Sequence, residues 1–224
     1  MGKKNKQYVV FGLGKFGKSV AMSLSKYGND VLAIDTSEEA IQEISEHVTH
    51  AVQADGTDED TLRSLGISNF DVAVVAIGSN MQSSIMTVML LKEIGVEYVM
   101  AKAQNEIHKK VLEKIGVDRV IFPEREIGNR IARNLTSDNI VDYIELSSEY
   151  SIVEILVLKD WQSKSLAELN MRAKHGINVM AIRRGGEIDI SPDANETLRE
   201  GDVLIVVGSN ADLQKISRQT EKRF

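Results

Sequence analysis

Cysteine is absent from this 224-residue sequence, and aromatic residues make up only 5% of it. Without cysteine, the chain has no disulfides, no thiolate nucleophile and no cysteine-ligated zinc, which is compatible with a reducing compartment. Hydrophobic residues account for 42% and charged residues for 27%, an ordinary mixture for a globular protein. The sequence therefore predicts a packed core that is mainly aliphatic.

Long apolar runs and an excess of positive charge are also lacking. The longest apolar run covers residues 72–77, whereas a membrane-spanning helix needs about 20 such residues. No secretory signal is visible before Gly12. The net charge of -6 argues against a general nucleic-acid binder. We therefore expect a cytoplasmic protein without a nucleic-acid partner, which reaches any membrane through another protein.

Strand and helix patterns alternate through the first half of the chain. Short apolar runs predict six strands, at residues 8–11, 31–34, 51–54, 71–77, 98–101 and 119–122. Helical patterns lie between them, at residues 15–27, 37–47, 58–65, 81–93 and 105–115. This order predicts an α/β fold, a Rossmann-like doubly wound parallel sheet with right-handed crossovers.

The pattern changes after Pro123. Apolar residues at 127, 131 and 135 predict a crossover helix, and the polar cluster at 136–139 is a candidate hinge. Strands are expected at 151–158, 177–182, 187–190 and 203–207, with short helices at 165–170 and 210–216 and a hairpin turn at Gly185-Gly186. We expect three parts: residues 6–122, a linker at 123–137, and a smaller α+β domain at 138–222.

A glycine motif, G-x-G-x-x-G, follows the first strand at Gly12, Gly14 and Gly17. Such a motif can be merely a tight turn, but here it opens a helix and is followed by Asp35 after the second strand. Gly12 permits the turn, Gly14 lets a phosphate approach the backbone, and Gly17 lets helix and strand pack closely. The helix N-terminus favours the phosphate, and Asp35 can bind the ribose hydroxyls and disfavours NADP.

Further candidates follow the other strands, where ligands bind in open α/β sheets. They are Asp55-Gly56, the segment from Ile77 to Ser79, and the segment from Lys102 to Gln104. Lys15 can add a positive charge to the phosphate site. Glu124 either bridges to phosphates through Mg²⁺ or Ca²⁺, or is an acid that favours the helix dipole.

No catalytic set can be assembled from the sequence. The four histidines have no metal-site spacing, and no Ser-His-acid arrangement is evident. This favours a nucleotide-binding regulator over an enzyme. One alternative is an NAD-dependent dehydrogenase, which would share residues 12–35 but needs an acid/base. The others are an NAD(H)-sensing regulator and a redox-sensing transcription factor, the latter needing a basic DNA-reading face.

The segments FGLGKFG, LAID, QADGTDE, VVAIGSNMQSS, KAQNEIHKKVLEKIGVDRVIFPE and NMRAKHGINVMAIRRGGEIDISP resemble the RCK family, the regulators of conductance of potassium, with TrkA-N and TrkA-C domains. The resemblance covers essentially the whole chain and is strongest to regulatory subunits of Ktr-type potassium uptake systems. It implies a cytoplasmic octameric ring, built from dimers, on the inner face of the membrane, docked on a KtrB-like pore subunit. It also implies ATP or ADP in the first domain with Mg²⁺ or Ca²⁺, NAD(H) being less favoured, and cyclic di-AMP in the second, the C-terminal RCK domain.

The resemblance also implies the site residues. Those for the nucleotide are Gly12, Gly14, Lys15, Phe16, Asp35, Thr36, Ser37, Asp55, Gly56, Ile77, Gly78, Ser79, Lys102, Ala103, Gln104, His108 and Glu124, the last also for the metal. Those for cyclic di-AMP are Arg172, Ala173, His175, Ile177, Asn178 and Pro192. Most relatives carry arginine where this chain has Lys15. Because lysine lacks the planar fork of arginine, discrimination between ATP and ADP is expected to be weaker.

Overall fold

The computed structural model describes residues 6–136 and 140–221. The chain divides into two compact units, Met1–Pro123 and Glu124–Phe224. The three-part division at 6–122, 123–137 and 138–222 stays a prediction, and residues 137–139 of the candidate hinge and residue 222 lie outside the described residues. Within the described ranges, no helix is both long and apolar enough to cross a membrane.

The first unit is a six-stranded parallel sheet flanked by helices. Its strands are β1 (Gln7–Phe11), β2 (Asp30–Asp35), β3 (His50–Gln53), β4 (Val72–Val75), β5 (Tyr98–Lys102) and β6 (Arg119–Ile121). Its helices are α1 (Lys15–Lys26), α2 (Glu38–Ile44), α3 (Glu59–Ser64), α4 (Met81–Ile94) and α5 (Glu106–Ile115). The strand order β3-β2-β1-β4-β5-β6 confirms the predicted doubly wound sheet. β4 is shorter than predicted, because the residues after Val75 already form the loop.

The central strand β1 is buried on both faces of the sheet. Val9 and Phe11 pack in one apolar cluster with Leu62 and Leu91, and Val10 packs in the other with Ala21. Fully burying a side chain such as Phe11 contributes about 1.5–3 kcal/mol. This packing on both faces fixes the carboxyl end of β1, from which the glycine loop departs.

The helices that follow β4 and β5 begin and end at specific caps. The Asn80 side chain accepts a hydrogen bond from the Ser83 backbone, and the Asn105 side chain accepts one from the His108 backbone. Gly95 and Gly116 end α4 and α5 in the left-handed conformation. The two asparagines therefore hold the loops that follow β4 and β5 at the carboxyl edge of the sheet, and the two glycines end the helices before the amino ends of β5 and β6.

The second unit is a five-stranded antiparallel sheet with helices. Its elements are α6 (Pro123–Leu135), β7 (Ile140–Glu145), β8 (Tyr150–Leu156), α7 (Leu166–Leu169), α8 (Met171–His175), β9 (Ile177–Arg184), β10 (Glu187–Asp189), β11 (Val203–Ser209) and α9 (Asn210–Glu221), with strand order β10-β9-β11-β8-β7. The first residue of α6, Pro123, closes the first unit. The predicted α+β character is confirmed, as is the hairpin at Gly185-Gly186, where Arg184 pairs with Glu187. β7 and α8 were not predicted.

Within the connection from β10 to β11, residues 191–202 form a strap along the second unit. Leu198 is fully buried, and its backbone exchanges hydrogen bonds with the 163–164 turn. The Arg184 guanidinium donates two hydrogen bonds of 2.8 Å to the Asp202 carboxylate and one of 2.8 Å to Glu196. These contacts hold the pKa of Asp202 below its ordinary value and raise that of Arg184. One arginine thus holds the strap at its middle and at the end that leads into β11.

Candidate functional site

The three motif glycines meet different surroundings. Gly12 has φ of +87°, and a Cβ there would lie 2.9 Å from the Ile77 backbone nitrogen. A Cβ on Gly17 would lie 1.8 Å from the Gly12 carbonyl oxygen, whereas a Cβ on Gly14 would meet no atom within 4 Å. Gly12 and Gly17 are therefore required by packing inside the protein. Gly14 instead leaves open space beside the start of α1, where a phosphate can approach the backbone.

Asp35 ties the glycine loop to the end of β2. Its Oδ2 accepts a hydrogen bond of 2.6 Å from the Leu13 backbone, and its Oδ1 accepts one of 2.8 Å from the Ser37 backbone. The Gly12 backbone donates to the Ile34 carbonyl at 2.9 Å. Each carboxylate oxygen retains acceptor capacity. Asp35 can therefore hold the loop and still accept hydrogen bonds from ribose hydroxyls.

The N-terminus of α1 is free of side-chain capping. Gly14 occupies the cap position without a side-chain hydrogen bond, and the first turn of this 12-residue helix contains no acidic residue. Its first backbone N–H groups can therefore donate to an anion. Ser37, by contrast, caps α2 by accepting from the Ala40 backbone, and Thr36 beside it is exposed.

Two lysines bring positive charge to this helix end. The Lys102 ammonium, from β5, lies 5.7 Å from the centre of the Phe16 ring, and 3.9 Å from where a Cβ on Gly78 would stand. Lys102 therefore reaches from the end of β5 towards the first turn of α1. Lys15 is exposed and lines a groove of about 720 Å³ along α1, with Lys18, Ser19, Met22, Ser23, Ser25, Lys26, Glu46 and His47.

The loops after β3 and β4 complete the edge of the sheet. Asp55 is exposed and accepts hydrogen bonds from the Thr57 backbone and hydroxyl, at 2.9 and 2.7 Å. Gly56 is buried, and a Cβ there would lie 3.0 Å from the Phe11 ring. Beyond β4, Ile77 is half-buried and Gly78 and Ser79 are exposed. The structure thus brings these predicted residues to the edge where β1 and β2 also end.

His108 is placed differently from the other predicted residues. It lies on α5 and is fully buried, and its Nδ1 accepts a hydrogen bond of 3.2 Å from the Gln104 backbone. Burial lowers the pKa of the imidazole. Ala103, just before Gln104, is also fully buried. Sequence reasoning missed the roles of the Leu13 backbone and of Asn105, although an asparagine directly before a helical pattern is a recognisable cap signal.

Glu124 is an exposed residue in the first turn of α6 and belongs to the second unit. Among the described residues, no group of three or more His, Asp or Glu side chains is arranged to hold a metal ion. A single carboxylate fits Mg²⁺ or Ca²⁺ only where phosphate oxygens and water supply the other ligands. The metal role of Glu124 therefore stays a prediction tied to a bound nucleotide.

The residues predicted for cyclic di-AMP lie on α8, β9 and the strap. Arg172, Ala173 and Asn178 are exposed, whereas Ile177 is fully buried. Pro192 is half-buried on the strap. These exposed groups offer one cationic side chain, a methyl group and an amide to a ligand.

His175, the remaining predicted residue, is half-buried at the end of α8. Its ring lies 5.3 Å from that of Trp161, at an interplanar angle of 59°. Burial, and secondarily the charge of Lys174, lower the pKa of His175. The imidazole therefore packs against Trp161 and is mainly in its neutral form near pH 7.

Comparisons with known proteins agree along the whole chain. The TrkA-N domain profile matches residues 8–123 and the TrkA-C domain profile matches residues 152–220. Ktr system potassium uptake proteins C and A of Bacillus subtilis are each 46% identical over 96% of this chain and 97% of their own. Ktr system potassium uptake protein A of Vibrio alginolyticus is 36% identical over 91% of this chain and 93% of its own.

Solved structures show the same fold at low sequence identity. The GsuK channel superimposes with a TM-score of 0.70 at 15% identity, covering 95% of this chain and 39% of that chain. The GsuK channel bound to NAD gives a TM-score of 0.67 at 14% identity, over 96% of this chain and 39% of that one.

Proposed function

The chain belongs, with its TrkA-N and TrkA-C domains, to the family of the Ktr system potassium uptake proteins, and from this premise we propose that it is a nucleotide-gated regulatory subunit of a potassium uptake system. The observation that carries this proposal is the glycine loop, where Gly14 leaves space at an uncapped helix end and Asp35 stands beside it. These features suit the phosphates and the ribose of an adenine nucleotide.

The proposed ligand is ATP or ADP. Asp35 binds the ribose, the first N–H groups of α1 bind the phosphates, and Lys15 and Lys102 add charge. The other proposed contacts are Gly12, Gly14, Phe16, Thr36, Ser37, Asp55, Gly56, Ile77, Gly78, Ser79, Ala103 and Gln104, and Glu124 joins through Mg²⁺ or Ca²⁺. The remaining predicted residue, His108, is fully buried and is therefore left out of this set of direct contacts.

Regulation in this proposal comes from differential binding and needs no chemical turnover. If ATP and ADP favour different arrangements of a ring of these subunits, the bound nucleotide sets the population of each arrangement. We propose that the ring is an octamer on the cytoplasmic face of the membrane, docked on a KtrB-like pore subunit. The relatives' membership of potassium uptake systems supports this partner.

A second ligand, cyclic di-AMP, is proposed for the second unit. The proposed contacts are Arg172, Ala173, His175, Ile177, Asn178 and Pro192. The exposure of Arg172 and Asn178 supports this assignment, because a guanidinium and an amide suit phosphates and base edges. Ile177 is buried and is proposed to act through its backbone.

Titration calorimetry with ATP, ADP, NADH and cyclic di-AMP tests the proposal. Replacing Asp35 by Ala removes the ribose acceptor and frees the Leu13 backbone, so adenine-nucleotide affinity should fall at least tenfold, which equals about 1.4 kcal/mol. Binding of cyclic di-AMP should be unchanged.

The matched control is Glu97→Ala, which removes one exposed acid before the amino end of β5 and should leave every affinity unchanged. Tighter binding of NADH than of ATP would support the dehydrogenase alternative instead. Steady hydrolysis of ATP at enzyme-like rates would contradict regulation without turnover.

A further inference from the structure

The turn that follows β5 is held in place by His108, and this arrangement suggests a role other than ligand contact. The Gln104 backbone donates to the His108 Nδ1 at 3.2 Å, and the His108 backbone donates to the Asn105 side chain at 2.9 Å. The Ala103 backbone donates to the Ile121 carbonyl at 2.8 Å. The turn is thus fixed to β6 on one side and to α5 on the other.

The hydrogen bond from Gln104 fixes the tautomer of the imidazole. Because Nδ1 accepts a backbone N–H, the neutral ring carries its proton on Nε2. Nε2 is buried and meets no hydrogen-bond partner among the described residues, and the residue as a whole is 0% exposed. Neither ring nitrogen therefore reaches the surface of the crevice.

We propose that His108 is a positioning residue, which shapes the turn from Lys102 to Gln104 for the nucleotide through Nδ1 and does not touch the nucleotide itself. The proposal rests on the proposed nucleotide function of this edge of the sheet. Lys102 leaves the same turn to reach the first turn of α1. A turn that shifts by about 1 Å would move this charge away from the phosphates, at a large cost in affinity.

The same geometry makes the turn sensitive to acid. Protonation converts Nδ1 from an acceptor into a donor, which would then face the Gln104 N–H. Among the described residues, the helix α4 and the strand β6 pack against α5 and carry Lys92, Glu93 and Arg119, and Lys92 is paired with Asp118 at 2.6 Å. The charged residues of α5 itself are Glu106, Lys109, Lys110, Glu113 and Lys114. Burial is the cause of the lowered pKa of His108, which keeps the imidazole neutral near pH 7.

Three substitutions separate positioning from contact, with ATP affinity measured by calorimetry. His108→Ala removes both ring nitrogens, and a loss of tenfold or more is expected. In His108→Asn the side-chain oxygen can take the place of Nδ1, so most of the affinity should return. In His108→Gln an acceptor or donor stands nearer the place of Nε2 and none replaces Nδ1, so affinity should remain low.

The outcomes are distinct. If ATP affinity returns in His108→Gln but not in His108→Asn, Nε2 contacts the nucleotide directly and the proposal is wrong. The proposal is also wrong if the two variants lose ATP affinity equally or keep it equally. Wild-type protein that binds no adenine nucleotide would refute the proposed function together with this inference. Wild type that binds ATP, with a different order of the variants, would refute only the positioning role.

A pH comparison adds a readout that does not depend on how well each variant folds. As pH falls below 7, the wild type should lose more ATP affinity than His108→Asn, because only the wild type has an imidazole to protonate. Titration of ATP itself affects both proteins equally and cancels. Equal losses in the two proteins would contradict the role of Nδ1.

Discussion

Gly14 and Gly17 lie three positions apart, at the cap and in the first turn of α1, yet only a Cβ on Gly17 would meet atoms of the protein. A Cβ on Gly17 would collide with the Gly12 carbonyl, whereas a Cβ on Gly14 would enter open space. Changing Gly17 to Ala should therefore lower the free energy of unfolding by about 3 kcal/mol or more, since backbone has to move. Changing Gly14 to Ala should alter it by only about 0.5 kcal/mol.

The substitution at Gly14 should weaken nucleotide binding although it barely changes the free energy of unfolding. Gly14→Ala places a methyl group where the phosphate approaches, so ATP affinity should fall more than tenfold in a protein of nearly normal stability. Urea denaturation and calorimetry on the two variants check both expectations. A Gly14→Ala protein with wild-type ATP affinity would contradict the phosphate site.

The residues of the site were predictable only in part. Gly78 and Lys102 could be placed at one edge because the carboxyl ends of parallel strands meet there. The burial of His108 could not be predicted, because it depends on how α5 packs against α4 and β6. The role of Asp35 in holding the glycine loop could not be predicted either, because its hydrogen bond with the Leu13 backbone, 22 positions away, forms only when the loop has folded.

The strap at residues 191–202 depends on one side chain of β9. Asp202 is 1% exposed and its carboxylate is neutralised by Arg184. Replacing Arg184 by Ala would leave that charge buried, so we expect a loss of about 2–3 kcal/mol, less than for a fully buried pair because Arg184 is partly exposed. Adding Asp202→Asn to that variant should recover part of the loss.

The pair of Arg184 and Asp202 also makes the free energy of unfolding depend on pH. The folded pKa of Asp202 is lowered, chiefly by the hydrogen bonds from Arg184, so its contribution is present above the ordinary value of 3.8 and is lost as pH falls through the folded pKa. Denaturation at pH 7 and pH 3 should show a smaller acid effect in the double variant than in the wild type. An identical acid effect in both proteins would contradict this assignment.

Helices and strands with a clear hydrophobic pattern were predicted from the sequence, and those without one were missed. The six parallel strands are continuous apolar runs between helical segments, which sequence patterns reveal. β7, with the sequence IVDYIE, lacks both a continuous apolar run and a strict alternation, and it joins the sheet only by pairing with β8. α8 has five residues, too few to show a helical period.

Each of the two units contains its own apolar core. Leu91 and Leu112 belong to the core of the first unit, and Ile155 and Leu204 to that of the second. A ligand that binds one unit should therefore protect that unit most against hydrogen exchange, by up to about 2.7 kcal/mol at 100 times its Kd.

Hydrogen exchange followed by mass spectrometry checks this expectation. With ATP, the largest protection should fall within residues 6–122, and with cyclic di-AMP within residues 140–221. Protection by either ligand that is spread evenly over both ranges would contradict two separate sites.

The position of β1 in the middle of the sheet has a consequence for biosynthesis. β1 leaves the ribosome before β2 and β4, yet it pairs with both of them. Gly12 also packs against the backbone of Ile77, which is translated 65 positions later. The nascent chain therefore cannot complete its nucleotide cradle until β4 has emerged, and until then the apolar strands stay open to chaperones.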